Sequence, residues 1–219
     1  MARPLGPREE LTARILEQAA AVFAEQGYRS ATTEDIAKKV NLKKSSLYHY
    51  FKSKESILFQ VLSSSLRRSL EPLEALADEK GDARERLRKA IALQVHSVMS
   101  APYVGTLFLN ESSSLHPRHL KQCLDLRMRH EISLRTIVDQ GIADGSFSPL
   151  DSTIVVKLIF GALNGLPWWW RPDGKYTLDQ IADMYADMLV DRILETSGVE
   201  RREGGKVLAL ARRDAGRAV

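Results

Sequence analysis

What this 219-residue chain lacks narrows its function before any motif is read. It carries one cysteine, Cys123, so neither an internal disulfide nor a CxxC metal site can form, and the plain reading is a small buried apolar residue. No apolar run reaches the roughly eighteen residues of a membrane span. The first twenty residues are charged and amphipathic, unlike a secretion signal. A cytoplasmic protein with no membrane partner is expected. Catalytic signatures are missing as well: there is no G-x-S-x-G, no phosphate-cradling Gly loop, no H-E-x-x-H and no Cys/His cluster. Glu111, His116 and His119 could be drawn as a metal site across a turn, but their spacing matches no known ligand motif. The expectation is a protein that is not an enzyme and holds no cofactor.

Charge is modest at +4, so its distribution carries more than its sum. Residues 1–60 hold ten Lys/Arg against seven Asp/Glu, and residues 197–219 hold six against three. The portion between them is therefore net negative, as expected of a region that meets no nucleic acid. Strand patterns are also absent. Apolar residues recur at helical spacing through Ile15–Phe23, Ile57–Leu76, Leu87–Val98, Ile154–Leu166 and Leu178–Ile193, which predicts an all-α fold. Gly81-Asp82, the SSSLHP stretch at 112–117, Asp144-Gly145 and Arg171–Gly174 punctuate it. The predicted organisation is a head over 1–52, a helical body over 53–198 and a flexible basic tail over 199–219.

Residues 28–60 carry the densest information. Thr32 and Thr33 can cap a short helix through Ile36, Ala37 and Val40. Asn41 follows where a sharp left-handed turn is needed. Residues 43–51 form the next expected helix, with Leu47 and Phe51 four apart on one face. Its other face offers Lys43, Lys44, Ser45, Ser46, Tyr48, His49 and Tyr50, donors suited to a groove and unsuited to a core. Thr33 joins this face as a further DNA-binding candidate. Lys54, after the Ser53 cap, opposes the dipole of the long helix it begins, so a phosphate is its expected partner. Lys43, Tyr48 and Lys54 are read as phosphate contacts, with base reading among Lys44, Ser46, His49 and Tyr50.

This stretch resembles the DNA-binding domain of the TetR family of bacterial transcriptional regulators. The residues that carry the likeness are Thr32-Thr33, Ile36-Ala37, Leu42, Leu47-Tyr48, Phe51 and Ser53-Lys54-Glu55, with Ile15, Ala19, Phe23, Gly27 and Tyr28 upstream. Asn41 stands where Gly is usual, and Ser45 where Gly or Pro is common. The resemblance implies a helix-turn-helix DNA-binding domain over 1–52 and an effector-binding and dimerisation domain over 53–198: a homodimer on a palindromic double-stranded operator, built through the last two helices, with a small-molecule pocket in the middle region. Physics agrees, since one short recognition helix contacts too few bases and a two-fold dimer doubles them.

The segment GALNGLPWWWRPDGKYTLDQIAD (161–183) resembles a stretch of TetR-type repressors of lipid and steroid degradation, which respond to acyl-coenzyme A thioesters. That implies a hydrophobic acyl effector with an anionic handle. Asn164, Trp168, Trp169 and Arg171 from this segment are pocket candidates, an aromatic wall beside an anion-binding fork. Met99, Phe108, Arg127, His130 and Leu134 are added from the preceding helices, although plain core or solvated roles are the commoner ones for such residues. A regulator of multidrug efflux and an effector-independent nucleoid-binding protein are the competing readings.

Overall fold

The computed structural model describes residues 6–194, so the 199–219 tail expected from the sequence lies outside the described residues. The described residues form ten α-helices and no strand. The helices are α1 (Pro7–Gln26), α2 (Thr33–Lys39), α3 (Lys44–Tyr48), α4 (Lys54–Asp78), α5 (Ala83–Ser100) and α6 (Val104–Glu111), then α7 (Pro117–Ala143), α8 (Ser152–Asn164), α9 (Leu166–Trp169) and α10 (Leu178–Ala186). A 3₁₀ turn at Ser112–Ser114 precedes α7, and a π-type segment at Asp187–Ile193 extends α10.

Local chemistry sets these boundaries. Ser53, Asp82, Asp151 and Thr177 each accept a backbone N–H at the start of α4, α5, α8 and α10, caps typically worth about 1 kcal/mol each. Helix α8 stops at Asn164, and Pro167 sits in the first turn of α9, where its missing N–H costs nothing. Gly141 in α7 lies where an added methyl would come within 2.2 Å of the Phe147 ring, so only glycine lets that buried ring close the turn after α7.

Among the described residues two apolar clusters form the interior. The first gathers Ile15, Phe23, Ile36, Leu47 and Phe51 with Leu58 and Leu62 of α4, and it also takes in Leu107 and Phe108 of α6, Leu115, and Cys123 of α7. It therefore runs past residue 52, where sequence patterning placed a boundary, because α4, α6 and the start of α7 complete the core of the DNA-binding helices. The second joins α5, α7, α8 and α10 through residues such as Ile91, Ile137, Ile159 and Ile181, and takes in Val190 of the π-type segment. Leu189 is 6 % exposed within this second cluster. What α8 leaves outward is Ile154 at 65 % and Leu158 at 46 % exposure. With the exposed Gly161 these follow one helical stripe.

Candidate nucleic-acid interface and effector cavity

The DNA-facing unit is fixed from α2 outward. Thr32 accepts the Asp35 N–H at 3.2 Å, while the Asp35 carboxylate takes the Thr32 N–H at 2.9 Å and its hydroxyl at 2.6 Å. The hydroxyl bond and then the backbone bond hold the Asp35 carboxyl below its ordinary range. At the far end Asn41 adopts φ 57°, and the Leu42 N–H reaches back to the Ala37 carbonyl at 2.8 Å, closing the left-handed turn expected of Asn41. Arg14 of α1 donates to the Val40 carbonyl at 2.9 Å and ties that turn to the first helix.

The helix α3 covers Lys44–Tyr48, shorter than the 43–51 expected, because Lys43 is its N-cap and His49 its C-cap. Lys43, Lys44, Ser45, Tyr48 and His49 are exposed, and Ser46 is half-buried. Leu47 and Phe51 enter the core. Thr33 is itself buried, with its hydroxyl 3.4 Å from the Tyr48 hydroxyl, so it braces Tyr48. Tyr50 is half-buried against the core with the Arg8 guanidinium 5.8 Å from its ring centre, which takes it out of the exposed set.

Lys54 requires a correction. Its ammonium donates to the carbonyls of Tyr28 at 2.8 Å, Arg29 at 3.1 Å and Ala31 at 2.9 Å, and sits 4.6 Å from the Tyr28 ring centre. An ammonium has three donors, and these three carbonyls use them all. The cation that opposes the α4 dipole finds its acceptors in the neutral peptide oxygens of the turn after α1 rather than in phosphate.

A cavity of about 360 Å³ lies deeper, at the seam between the two apolar clusters. From the first cluster's side come Leu66 of α4 and Phe108 of α6, and from the second's come Phe160 of α8 and, along α8 to α9, Asn164 and Trp168. Trp168 at 71 % and Leu109 at 76 % exposure stand at its mouth. The Arg127 guanidinium lies 4.4 Å from the Phe108 ring centre, and Lys157 pairs with Glu131 at 2.7 Å, both beside the cavity. His130 is buried in the wall. Its Nδ1 is 3.1 Å from the Leu126 carbonyl, which can only accept, so Nδ1 carries the proton and Nε2 accepts from the Ser69 hydroxyl at 2.9 Å. Burial holds the imidazole below its usual range and keeps it neutral.

Of the nine pocket candidates, the structure brings Phe108, Arg127, His130, Asn164 and Trp168 together. Four lie elsewhere. Leu134 is fully committed to the second core, and Met99 packs on it from outside. Trp169 is half-exposed away from the cavity lining. Arg171 bends back to the Trp170 carbonyl at 2.8 Å on an exposed turn, not into the cavity. Trp170 is the Trp of the triplet that packs on the core, with its indole N–H on the Tyr176 carbonyl at 3.0 Å. Sequence reasoning missed Ser69, Gln94, Ser97 and Lys157 in the lining, since small polar residues on long helices give no periodic signal. The His119 imidazole and the His116 backbone N–H meet at Glu55, the His116 ring instead accepts the Arg118 N–H, and no group of three that could hold a metal occurs among the described residues.

Residues 15–61 match the family of bacterial regulatory proteins named for tetR, and residues 80–193 match the tetracyclin repressor-like C-terminal domain. The chain belongs to the TetR family. It is 29 % identical over 182 residues to the HTH-type transcriptional repressor KstR2 of Rhodococcus jostii, covering 81 % of this chain and 88 % of the relative. It is 28 % identical over 188 residues to the fatty acid metabolism regulator protein of Bacillus subtilis, covering 82 % and 94 %. The solved structure of the ketosteroid transcriptional regulator KstR2 of Mycobacterium tuberculosis superposes with a TM-score of 0.74 at 26 % identity, covering 87 % of this chain and 96 % of that one. As a TetR-family transcriptional repressor, the protein binds operator DNA as a homodimer. Among the described residues no helix is long and apolar enough to cross a membrane.

Proposed function

We propose that this TetR-family repressor is released from its operator by an acyl-coenzyme A thioester of lipid or steroid breakdown. The observation that carries the reading is the placement of the cavity. It lies between two cores, one containing the recognition unit and the other contributing the outward α8 stripe, so a ligand filling it must act on the angle between them. A volume of about 360 Å³ falls at the small end of ligand sites, which span about 300–1,000 Å³. It suits an acyl body, while the larger nucleotide lies outside the mouth beside Trp168, with Arg127 and Lys157 as the cations in reach. The relatives named for fatty acid and ketosteroid regulation support the same ligand class. Release follows if the thioester prefers the conformation whose two recognition helices no longer match successive major grooves, and only by that difference in affinity.

On the DNA, Lys43 and Tyr48 hold phosphates, and Lys44, Ser46 and His49 supply the base contacts. Thr33 and Lys54 act from behind as braces.

The test is fluorescence anisotropy on a labelled operator selected from random duplexes, titrated with acyl-CoA thioesters, the matching free acids, free CoA and cationic drugs. Thioesters alone should release it. Equal release by drugs would favour a multidrug efflux regulator. Equal affinity for random and selected duplexes at physiological salt would mean an effector-independent nucleoid protein.

A further inference from the structure

Two consecutive side chains at the start of α4 grip in opposite directions. Lys54 is fastened to the turn after α1 through three carbonyls, as described above. Glu55 is fastened to the start of α7. Its Oε1 accepts the His116 backbone N–H at 2.9 Å and the His119 Nδ1–H at 2.8 Å. One turn further along α4, the Phe59 ring lies flat on the His119 imidazole, with centroids 4.0 Å apart and planes 9° from parallel. His119 is thus held by the hydrogen bond it donates to one residue of α4 and by the stacked ring of the residue four places on. Partial burial raises the Glu55 carboxyl, but the two histidine hydrogen bonds outweigh it and leave the group below its ordinary range. Its charge is felt on the DNA side of the joint too. Burial pushes the Tyr28 phenol up, and the Glu55 and Glu111 carboxylates push it further.

We propose that Glu55 and His119 are positioning residues for operator binding: with Lys54 and Phe59 they form the joint that fixes the recognition helix relative to α7. Neither touches DNA in this account. The path is short: α7 to Glu55, one peptide to Lys54, three carbonyls to the turn that leads into α2. A few ångströms of play there become a larger displacement at α3, because α3 sits beyond the joint. The joint also belongs with the first core, since Leu115 and Cys123 on either side of His119 are part of it. The beginning of α7 therefore moves as one with the DNA-binding helices.

The experiment is pulsed electron spin resonance on the intact dimer without ligand, labelled at Glu17→Cys on the exposed side of α1. Cys123 is buried and stays unlabelled. His119→Phe keeps a ring on Phe59 and removes only the hydrogen bond, and Glu55→Ala removes both bonds to the carboxylate. Arg129→Gln is the control, since it breaks the Arg129–Glu74 ion pair that links the same two helices farther from the DNA head. We expect the label-to-label distance distribution to broaden in both clasp variants with little change in the thermal midpoint. It should stay as in the parent in the control. Unchanged width in His119→Phe and Glu55→Ala would overturn the proposal, and so would equal broadening in Arg129→Gln. Should Glu55→Ala fail to fold, Glu55→Gln, which keeps an acceptor and loses the charge, is expected to broaden the distribution less than His119→Phe. The outcome does not depend on the identity of the effector.

Discussion

Replacing Lys54 by Met keeps the side-chain stem and deletes the ammonium, so it separates a structural brace from a phosphate contact. Three carbonyl bonds of 2.8–3.1 Å are lost, and the Tyr28 and Ala31 oxygens are left part-buried. Hydrogen bonds to a charged group contribute about 1.5–3 kcal/mol each when considered singly. These three share a single desolvation cost, so the combined loss is about 2–4 kcal/mol. The lost contact with the Tyr28 ring adds about 0.5–1 kcal/mol. Whole domains are stable by only about 5–15 kcal/mol, so the change is readable in urea denaturation at fixed protein concentration. The same variant is then titrated onto labelled operator across a range of salt. We expect a lower denaturation midpoint and an unchanged slope of log affinity against log salt. A phosphate contact would give the reverse, with the slope falling by about 0.9 and the midpoint unmoved. That outcome would refute the assignment of Lys54 to the turn.

The dimer face and the core are separable: Leu158→Glu should give folded monomers in sedimentation that no longer bind operator, whereas Leu189→Asp should unfold the chain, because Leu189 is buried within one subunit. An Ala at Gly141 should lower stability by about 1–3 kcal/mol in denaturant titration, the cost of forcing a methyl against the Phe147 ring. His130 is held below its ordinary value by burial, so the unfolded chain takes up its proton more readily; stability from this site is complete above about pH 6.5 and declines as pH falls below it. His130→Phe should remove that part of the pH dependence, read as the difference between the two denaturation profiles. Burial pushes the Cys123 thiol up to about 11, and native protein should react with a thiol reagent at neutral pH only as fast as it unfolds.

Much of the architecture was legible because helical signals are local. Thr32, Ser53, Asp82 and Thr177 announce their helices through their own hydroxyl or carboxylate, and Asn41 marks a positive φ that few other residues accept. The exposed donors of α3 were legible for the same reason. What misled was partnership across sequence distance. A lysine in the first turn of a helix signals an anion, but nothing local says that Tyr28, Arg29 and Ala31 will supply the oxygens. Arg171 beside a Trp cluster looked like an anion fork, yet the rigid turn folds it onto its own backbone. Leu134 read as pocket wall, and the last helix as interface although its apolar face is buried in the second core, because an apolar face does not disclose which neighbour covers it. The two-core arrangement, with α6 shared between the DNA-binding core and the cavity wall, has no signature in the sequence of either partner.

The central claim, that a thioester in the seam cavity controls operator affinity, is tested most directly by calorimetry of one acyl-CoA binding the dimer, paired with operator affinity with and without it. The parent protein, Trp168→Ala, Arg127→Met and Arg171→Met are compared. The thioester should bind the parent and weaken its operator affinity. Trp168→Ala and Arg127→Met should bind operator normally but lose the response, and Arg171→Met should behave as the parent does. A full response in Trp168→Ala and Arg127→Met, or its loss in Arg171→Met alone, would contradict it.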